Sequence, residues 1–259
     1  MTLNTYTTLF IPLLTAHLVG DFVLQSSYDV QHKTRWRVLF KHSGMIALLS
    51  FIMIGIGRAW TIGFIILISH ALLDGIKSRH KRQGLVPFVL DQIAHLTVIW
   101  MIAAVAMVAD LMPVPSLWAT YLGRPYYLAC LVLSGAVISV RVGSILIGFA
   151  VQPLLEQLEE AGSIYTQGPD VVGNLLERGF VDGGRIIGQL ERALIYLFVL
   201  VGQPSAIGFL IAAKSVFRFG ELRERANRME AEYILIGTLY SFLFGILVAY
   251  TIGFLLPLV

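Results

Sequence analysis

Six stretches of this chain, at about 7–26, 42–57, 60–77, 88–111, 125–150 and 233–256, are almost continuously apolar. A helix needs about 20 such residues to cross a ~30 Å hydrocarbon core. Within that core every backbone N–H and C=O must be satisfied inside the protein, which leaves helices or closed barrels. Runs of this length predict an all-α polytopic transmembrane bundle. A further apolar stretch, about 186–218, is interrupted by Gly202-Gln203-Pro204. Proline removes a helical donor and clashes with the preceding turn, so this stretch reads as two short pieces, about 186–202 and 205–218. They form either a re-entrant pair or two tilted spans, giving about six to eight membrane segments in all.

Composition agrees. Hydrophobic residues make up 57% of the 259 and charged residues 14%, against about 25% charged in an ordinary soluble domain. A soluble globular enzyme, a disordered chain and a nucleic-acid binder with a basic face are excluded. The net charge of +3 is too small to imply a nucleic-acid partner. The single cysteine, Cys130, excludes an intrachain disulfide and a cysteine-rich metal site. No basic segment precedes the first apolar run, so about 7–25 reads as a retained helix rather than a signal peptide.

Basic residues set the expected orientation. Lys33, Arg35, Arg37 and Lys41 lie in the 26–41 connection, and Lys77, Arg79, Lys81 and Arg82 in 77–84. Lys214, Arg218, Arg223, Arg225 and Arg228 lie in 214–232, mixed with acids. Arg58 and Arg124 stand alone in the opposite connections. The positive-inside rule places the three basic connections in the cytoplasm and the N-terminus outside. Residues 1–111 then form a four-helix unit. Residues 112–259 form a second half, with a polar cytoplasmic segment at 151–185 and a charged segment at 214–232.

Ionisable residues inside membrane helices cost about 2.5–3.5 kcal/mol each on insertion scales, and here they are grouped. His17 and Asp21 lie on the first helix. His42 is read as opening the second. His70 and Asp74 lie near the end of the third, and Asp91 and His95 near the start of the fourth. Residues four apart differ by about 40° around a helix, so each His/Asp pair shares a face. With helices one and three ending where two and four begin, all four elements fall at one level near the cytoplasmic side. Gln25 and Gln92 are candidate hydrogen-bonding partners of this group, and Lys77 follows Asp74 on nearly the same stripe.

Four imidazoles and three carboxylates without thiolate suit Zn²⁺, Mn²⁺ or Fe²⁺. Three carboxylates together would repel one another. One divalent ion leaves the ligand set at −1, and two leave it at +1, a charge suited to an anionic substrate. The expected metal ligands are His17, Asp21, His42, His70, Asp74, Asp91 and His95, around one or two ions. Asp74 or Asp91 doubles as a base, and Lys77 polarises an anionic group. The competing structural reading is interhelical hydrogen bonding, worth about 0.6 kcal/mol per pair, with Lys77 a snorkelling interfacial lysine. In the second half, Arg185, Arg192, Lys214 and Arg218 are candidate anion or lipid-headgroup contacts. The alternative there is that Glu191 pairs with a cation and the basic residues anchor the interface. Gly237 and Gly245 fit close helix packing, as in a homodimer.

His17-Leu-Val-Gly-Asp21-Phe-Val-Leu-Gln25 resembles the opening HLxGDFxxQ signature of a bacterial inner-membrane family of unknown function. That family continues with a lone His, an HxxxDxxK helix and a DQxxH helix. Here these correspond to His42, to His70 through Lys77, and to Asp91-Gln92-Ile-Ala-His95. The stretches 188–192, 212–219 and 231–238 are similar to its longer members. A weaker similarity links the His/Asp pairs to membrane-bound metal-dependent hydrolases of the LexA-regulated type. The first resemblance implies a bacterial inner-membrane location, and the second implies metal-dependent hydrolysis. The PSGH motif of lipid phosphatases, HExxH, Walker A and G-x-S-x-G are absent.

The expected function is a membrane-embedded metal-dependent hydrolase acting on a lipid or phosphorylated small molecule. Two other classes compete with it. A divalent-cation or proton-coupled transporter would hold its site near the midplane, reachable from both sides. A non-catalytic protein with a structural metal would close the coordination shell.

Overall fold

The computed structural model describes residues 5–55, 60–79, 84–108, 116–165, 182–224 and 228–259. Arg58, Lys81, Arg82 and Arg225, all named above, lie outside these residues, as do His80, Asp170 and Glu177. So do the side chains of Glu159, Arg218, Arg223 and Arg228. The described residues are helical throughout, joined by short turns and without strands. Six helical stretches are long and apolar enough to cross a membrane: Tyr6–Leu24, Trp36–Ile54, Trp60–Arg79, Leu85–Val108, Arg124–Leu158 and Ala231–Leu258. The chain is a multi-pass helical membrane protein by this measure. Large apolar side chains such as Phe64, Leu72, Trp100 and Val105 face outward, as a lipid-facing surface requires.

The chain forms two compact units, Met1–Val137 with Phe254–Val259, and Ile138–Gly253. In the first, α1 (Thr5–Val19) packs against α3 (Trp36–Ile54), α5 (Leu85–Val108) and α7 (Arg124–Val137), while α4 (Trp60–Arg79) packs against α3 and α5. Leu13, Ile46, Ile66 and Ile99 meet in the core. Thr15 secures α1 to α7: its hydroxyl lies 2.9 Å from Ser134 Oγ and 3.1 Å from the Cys130 carbonyl. Two short helices, α2 (Ser27–Gln31) and α6 (Leu117–Tyr121), complete the unit. Ser26 caps α2, accepting from the Asp29 N–H and donating to its carboxylate at 2.8 Å. Lys41 also holds that carboxylate.

Two features of this unit differ from the simple periodic expectation. α3 begins at Trp36, so His42 sits in its second turn instead of opening it. Arg37 and Lys41 had interrupted the apolar run, yet both extend into solvent from a helix. After Val19, the first span winds as a π-helix over Gly20–Leu24, and the Gln25 N–H bonds the Gly20 carbonyl five residues back. Such turns are frequent at functional sites. The close approach of α3 explains the glycine: a Cβ on Gly20 would lie 2.7 Å from Ile46 Cγ1. A side chain there would force Ile46 to shift.

The second unit contains a π-helical turn, Ile138–Val142, followed by α8 (Gly143–Tyr165), α9 (Gly183–Leu200), α10 (Ala206–Glu224) and most of α11 (Arg228–Leu255). The expected break between α9 and α10 falls at 201–205, where Gly202 takes φ +73°. Ile195, Ile207 and Phe242 form the apolar centre of this unit.

Candidate metal centre

Four helices of the first unit bring the sequence-predicted histidines and aspartates to one end of the bundle. Asp21 comes from the π turn after α1, His42 from α3, and His70 and Asp74 from α4. His42 Nε2 lies 3.1 Å from Asp21 Oδ1, 3.3 Å from His70 Nε2 and 3.6 Å from Asp74 Oδ2. His70 Nε2 lies 3.4 Å from each of the same two carboxylate oxygens. These are five edges of a four-atom polyhedron, all between 3.1 and 3.6 Å. A tetrahedral ion with bonds of about 2.0–2.1 Å has ligand–ligand edges of about 3.3–3.4 Å. Each imidazole nitrogen carries at most one hydrogen, yet each faces three other ligand-type atoms. Converging lone pairs of this kind fit a cation.

The neighbouring residues extend the cluster. His17, Asp21 and His70 form one set of donors within 4.8 Å of one another; His42, His70 and Asp74 form a second; Asp74, Asp91 and His95 form a third. His70 belongs to the first two sets and Asp74 to the last two, so the sets are linked. The rings of His17 and His95 stack at 5.1 Å, and those of His70 and His95 approach to 4.4 Å.

His95 carries an independent sign of metal chemistry. Its Nδ1 is 2.9 Å from the Asp91 carbonyl, so Nδ1–H donates there and Nε2 presents a lone pair. That Nε2 is buried without a hydrogen-bond partner, in a residue only 3% exposed. A histidine oriented by a backbone carbonyl, with its other nitrogen bare, is the usual arrangement of a metal ligand. His17, His70 and His95 also line a cavity of about 10 Å³, the size of a single water.

The expected supporting residues divide. Gln92 reaches both sides of the group, with Oε1 3.2 Å from His17 Nε2 and Nε2 donating to Asp91 Oδ2 at 3.0 Å. Gln25 lies just past the π turn, where the backbone is extended (φ −70°, ψ 122°). Its amide nitrogen is buried without a partner. Lys77, 41% exposed at the rim, holds Asp91 Oδ2 at 2.6 Å and lies over the Phe88 ring.

One residue of the group escaped sequence reasoning. Lys33, counted only among the basic residues of a connection, places its ammonium 2.8 Å from Asp74 Oδ2. Its side chain is 12% exposed and that of Asp74 1%. The only sequence signal was its position in the connection leading into the helix of His42.

Of the basic residues expected to meet an anion in the second unit, Arg185, Arg192 and Lys214 are engaged within the chain, and the side chain of Arg218 lies outside the described residues. Lys214 pairs with Glu191 at 2.6 Å, and Arg185 pairs with Asp182 at 3.0 Å. Arg192 is 2% exposed. It donates to the carbonyls of Ser139 and Val140 in the π turn and to the hydroxyls of Ser144 and Ser241. The backbone closes around it: a Cβ on Gly143 would lie 3.0 Å from its Nε.

A family described as a protein of unknown function, DUF3307, has a sequence model that matches residues 9–118. This match contains every His and Asp of the cluster, and Lys33, Lys77 and Gln92. No curated protein and no solved structure matches the chain significantly.

Proposed function

We propose that this protein is an integral membrane metal-dependent hydrolase whose metal centre faces the cytoplasm. The observation that carries the reading is the convergence of His42 and His70 on each other and on Asp21 and Asp74, with each Nε2 3.1–3.6 Å from the other and from both carboxylate oxygens. The thiolate-free donor set suits Zn²⁺, Mn²⁺ or Fe²⁺. The linked donor sets favour one or two ions. Placement at the end of the bundle beside Lys33, Arg35, Arg37 and Lys41 supports a cytoplasmic site, an N-terminus outside and, with the family resemblance, a bacterial inner membrane.

A bound ion of this class supplies a water acidic enough to act as a nucleophile near neutral pH. The chain's own residues do the rest. Asp91, held by Lys77 and Gln92, stands next to His95 and can accept a proton from an attacking water. Lys77, half in solvent, is placed to polarise an anionic oxygen of the substrate. The substrate is a membrane-associated phosphoester: the lipid-facing helices supply the apolar side of the approach, and the rim cations the polar side.

The test uses full-length protein in nanodiscs, loaded with Zn²⁺ or Mn²⁺ and given a short-chain phosphatidic acid. Metal-dependent phosphate release is expected, and Lys77→Met lowers its rate about tenfold or more while metal content is kept. Loaded protein that releases no phosphate, but carries the ion across a liposome membrane, would replace the hydrolase with a transporter.

A further inference from the structure

The two lysines of the cluster sit on carboxylates that the metal reading assigns to ions, and Lys33 does so from inside the protein. Its neighbours Arg35 and Arg37 are exposed, and the side chain of Lys41 is 70% exposed. Lys33 alone turns inward, its ammonium 2.8 Å from Asp74 Oδ2. That same oxygen faces His42 Nε2 at 3.6 Å and His70 Nε2 at 3.4 Å. Lys33 therefore occupies, with one positive charge, the Asp74 oxygen a divalent ion held by His42 and His70 would use.

We propose that Lys33 is an exchangeable internal cation: metal binding displaces its ammonium from Asp74, and the displaced ammonium becomes the anion-binding group of the loaded site. This rests on the metal-centre reading above. Two cations drawn to a single carboxylate oxygen repel one another strongly in a dry site, so the weaker ligand gives way. Lysine suits the exchange, being a point charge on a flexible four-carbon stem. Lys33 also belongs to a short turn between the capped helix α2 and α3, where the stem is free of helical neighbours on its own element. Asp21, Asp74 and Asp91, set against Lys33 and Lys77, leave one negative charge when the imidazoles are neutral. A divalent ion turns this to one positive charge, so the loaded site attracts an anion and the empty one does not. The ligand chemistry is a phosphate group, free or on a lipid. Lysine binds such a group as a point charge.

The exchange predicts opposite effects of one substitution on two ligands. In full-length protein in nanodiscs, Lys33→Met is expected to bind Zn²⁺ about tenfold more tightly than wild type in competition with a chelator, because a competing cation is gone. The zinc-loaded variant is expected to bind inorganic phosphate about tenfold more weakly. Lys33→Arg keeps phosphate binding, and Lys33→Gln repeats the zinc result should the methionine variant fold poorly. Repeating the phosphate titration with vesicles containing phosphatidic acid separates a free phosphate from a lipid headgroup. Zinc affinity unchanged or weakened in both neutral variants overturns the exchange while leaving the metal centre standing. Zinc tightened with phosphate binding unchanged also overturns it, leaving Lys33 a counter-ion and nothing more. If neither wild type nor variants bind zinc, the metal centre fails and the exchange fails with it.

Discussion

Replacing His70 with alanine is expected to empty the metal centre while leaving the bundle folded. His70 Nε2 touches three of the proposed donors, at 3.3 Å from His42 Nε2 and 3.4 Å from Asp21 Oδ1 and Asp74 Oδ2. It also belongs to two of the three donor sets. Asp74 also belongs to two sets and His42 also meets three donors, but His70 does both. Loss of a residue that merely supports a ligand already lowers metal affinity about 10–100-fold, so loss of this ligand is expected to cost about a hundredfold or more. The fold tolerates the change better, because His70 already borders a small cavity and the core contacts of α4 run through Ile62 and Ile66. Zinc titration and a thermal melt on the same preparation check both parts. Metal retained at wild-type affinity would remove His70 from the centre.

Arg192→Leu is expected to give the opposite result: metal retained and stability lost. The guanidinium donates to two carbonyls of the π turn, Ser139 at 2.7 Å and Val140 at 3.2 Å. It also reaches Ser144 and Ser241, each at 2.8 Å. A buried acceptor left unmatched costs about 1–3 kcal/mol, and lipid offers no water to replace the donor. Removing this one side chain exposes several such groups at once, so a loss of about 3–5 kcal/mol is expected. Arg192→Lys restores only part of it, because an ammonium cannot reproduce the fork of donors. Unfolding from detergent micelles measures the effect. A change below ~1 kcal/mol would show that the π-turn carbonyls find other donors.

The spanning helices were legible in the sequence because lipid imposes a simple rule of length and apolarity, to which these runs conform. The grouping of His17, Asp21, His42, His70, Asp74, Asp91 and His95 was legible too. Helical spacing fixed the face, and the basic connections fixed the end of each helix. Three things were not. A π turn changes how far each residue rotates the chain without changing the residue count, so the winding at Gly20–Leu24 has no periodic signature. The start of α3 was hidden by Arg37 and Lys41, whose exposure on a helical face is a tertiary fact. Lys33 looked like any lysine of a basic connection. Its burial depends on where a turn between two helices comes to rest over Asp74, which no local pattern records. Arg192 was singled out as a charged residue in an apolar segment, but its partners sit about 50 residues away, on the π turn and in α8 and α11.

The central claim is that this cluster holds a transition metal. It is tested most directly by the metal content and X-ray absorption spectrum of the full-length protein purified without chelators. The account predicts one to two equivalents of a first-row metal, with a shell of nitrogen and oxygen at about 2.0–2.1 Å, imidazole scattering and no sulfur. Folded protein that takes up neither Zn²⁺, Mn²⁺ nor Fe²⁺ when resupplied would contradict it, and the His/Asp cluster would then be a hydrogen-bonded network closed by Lys33 and Lys77.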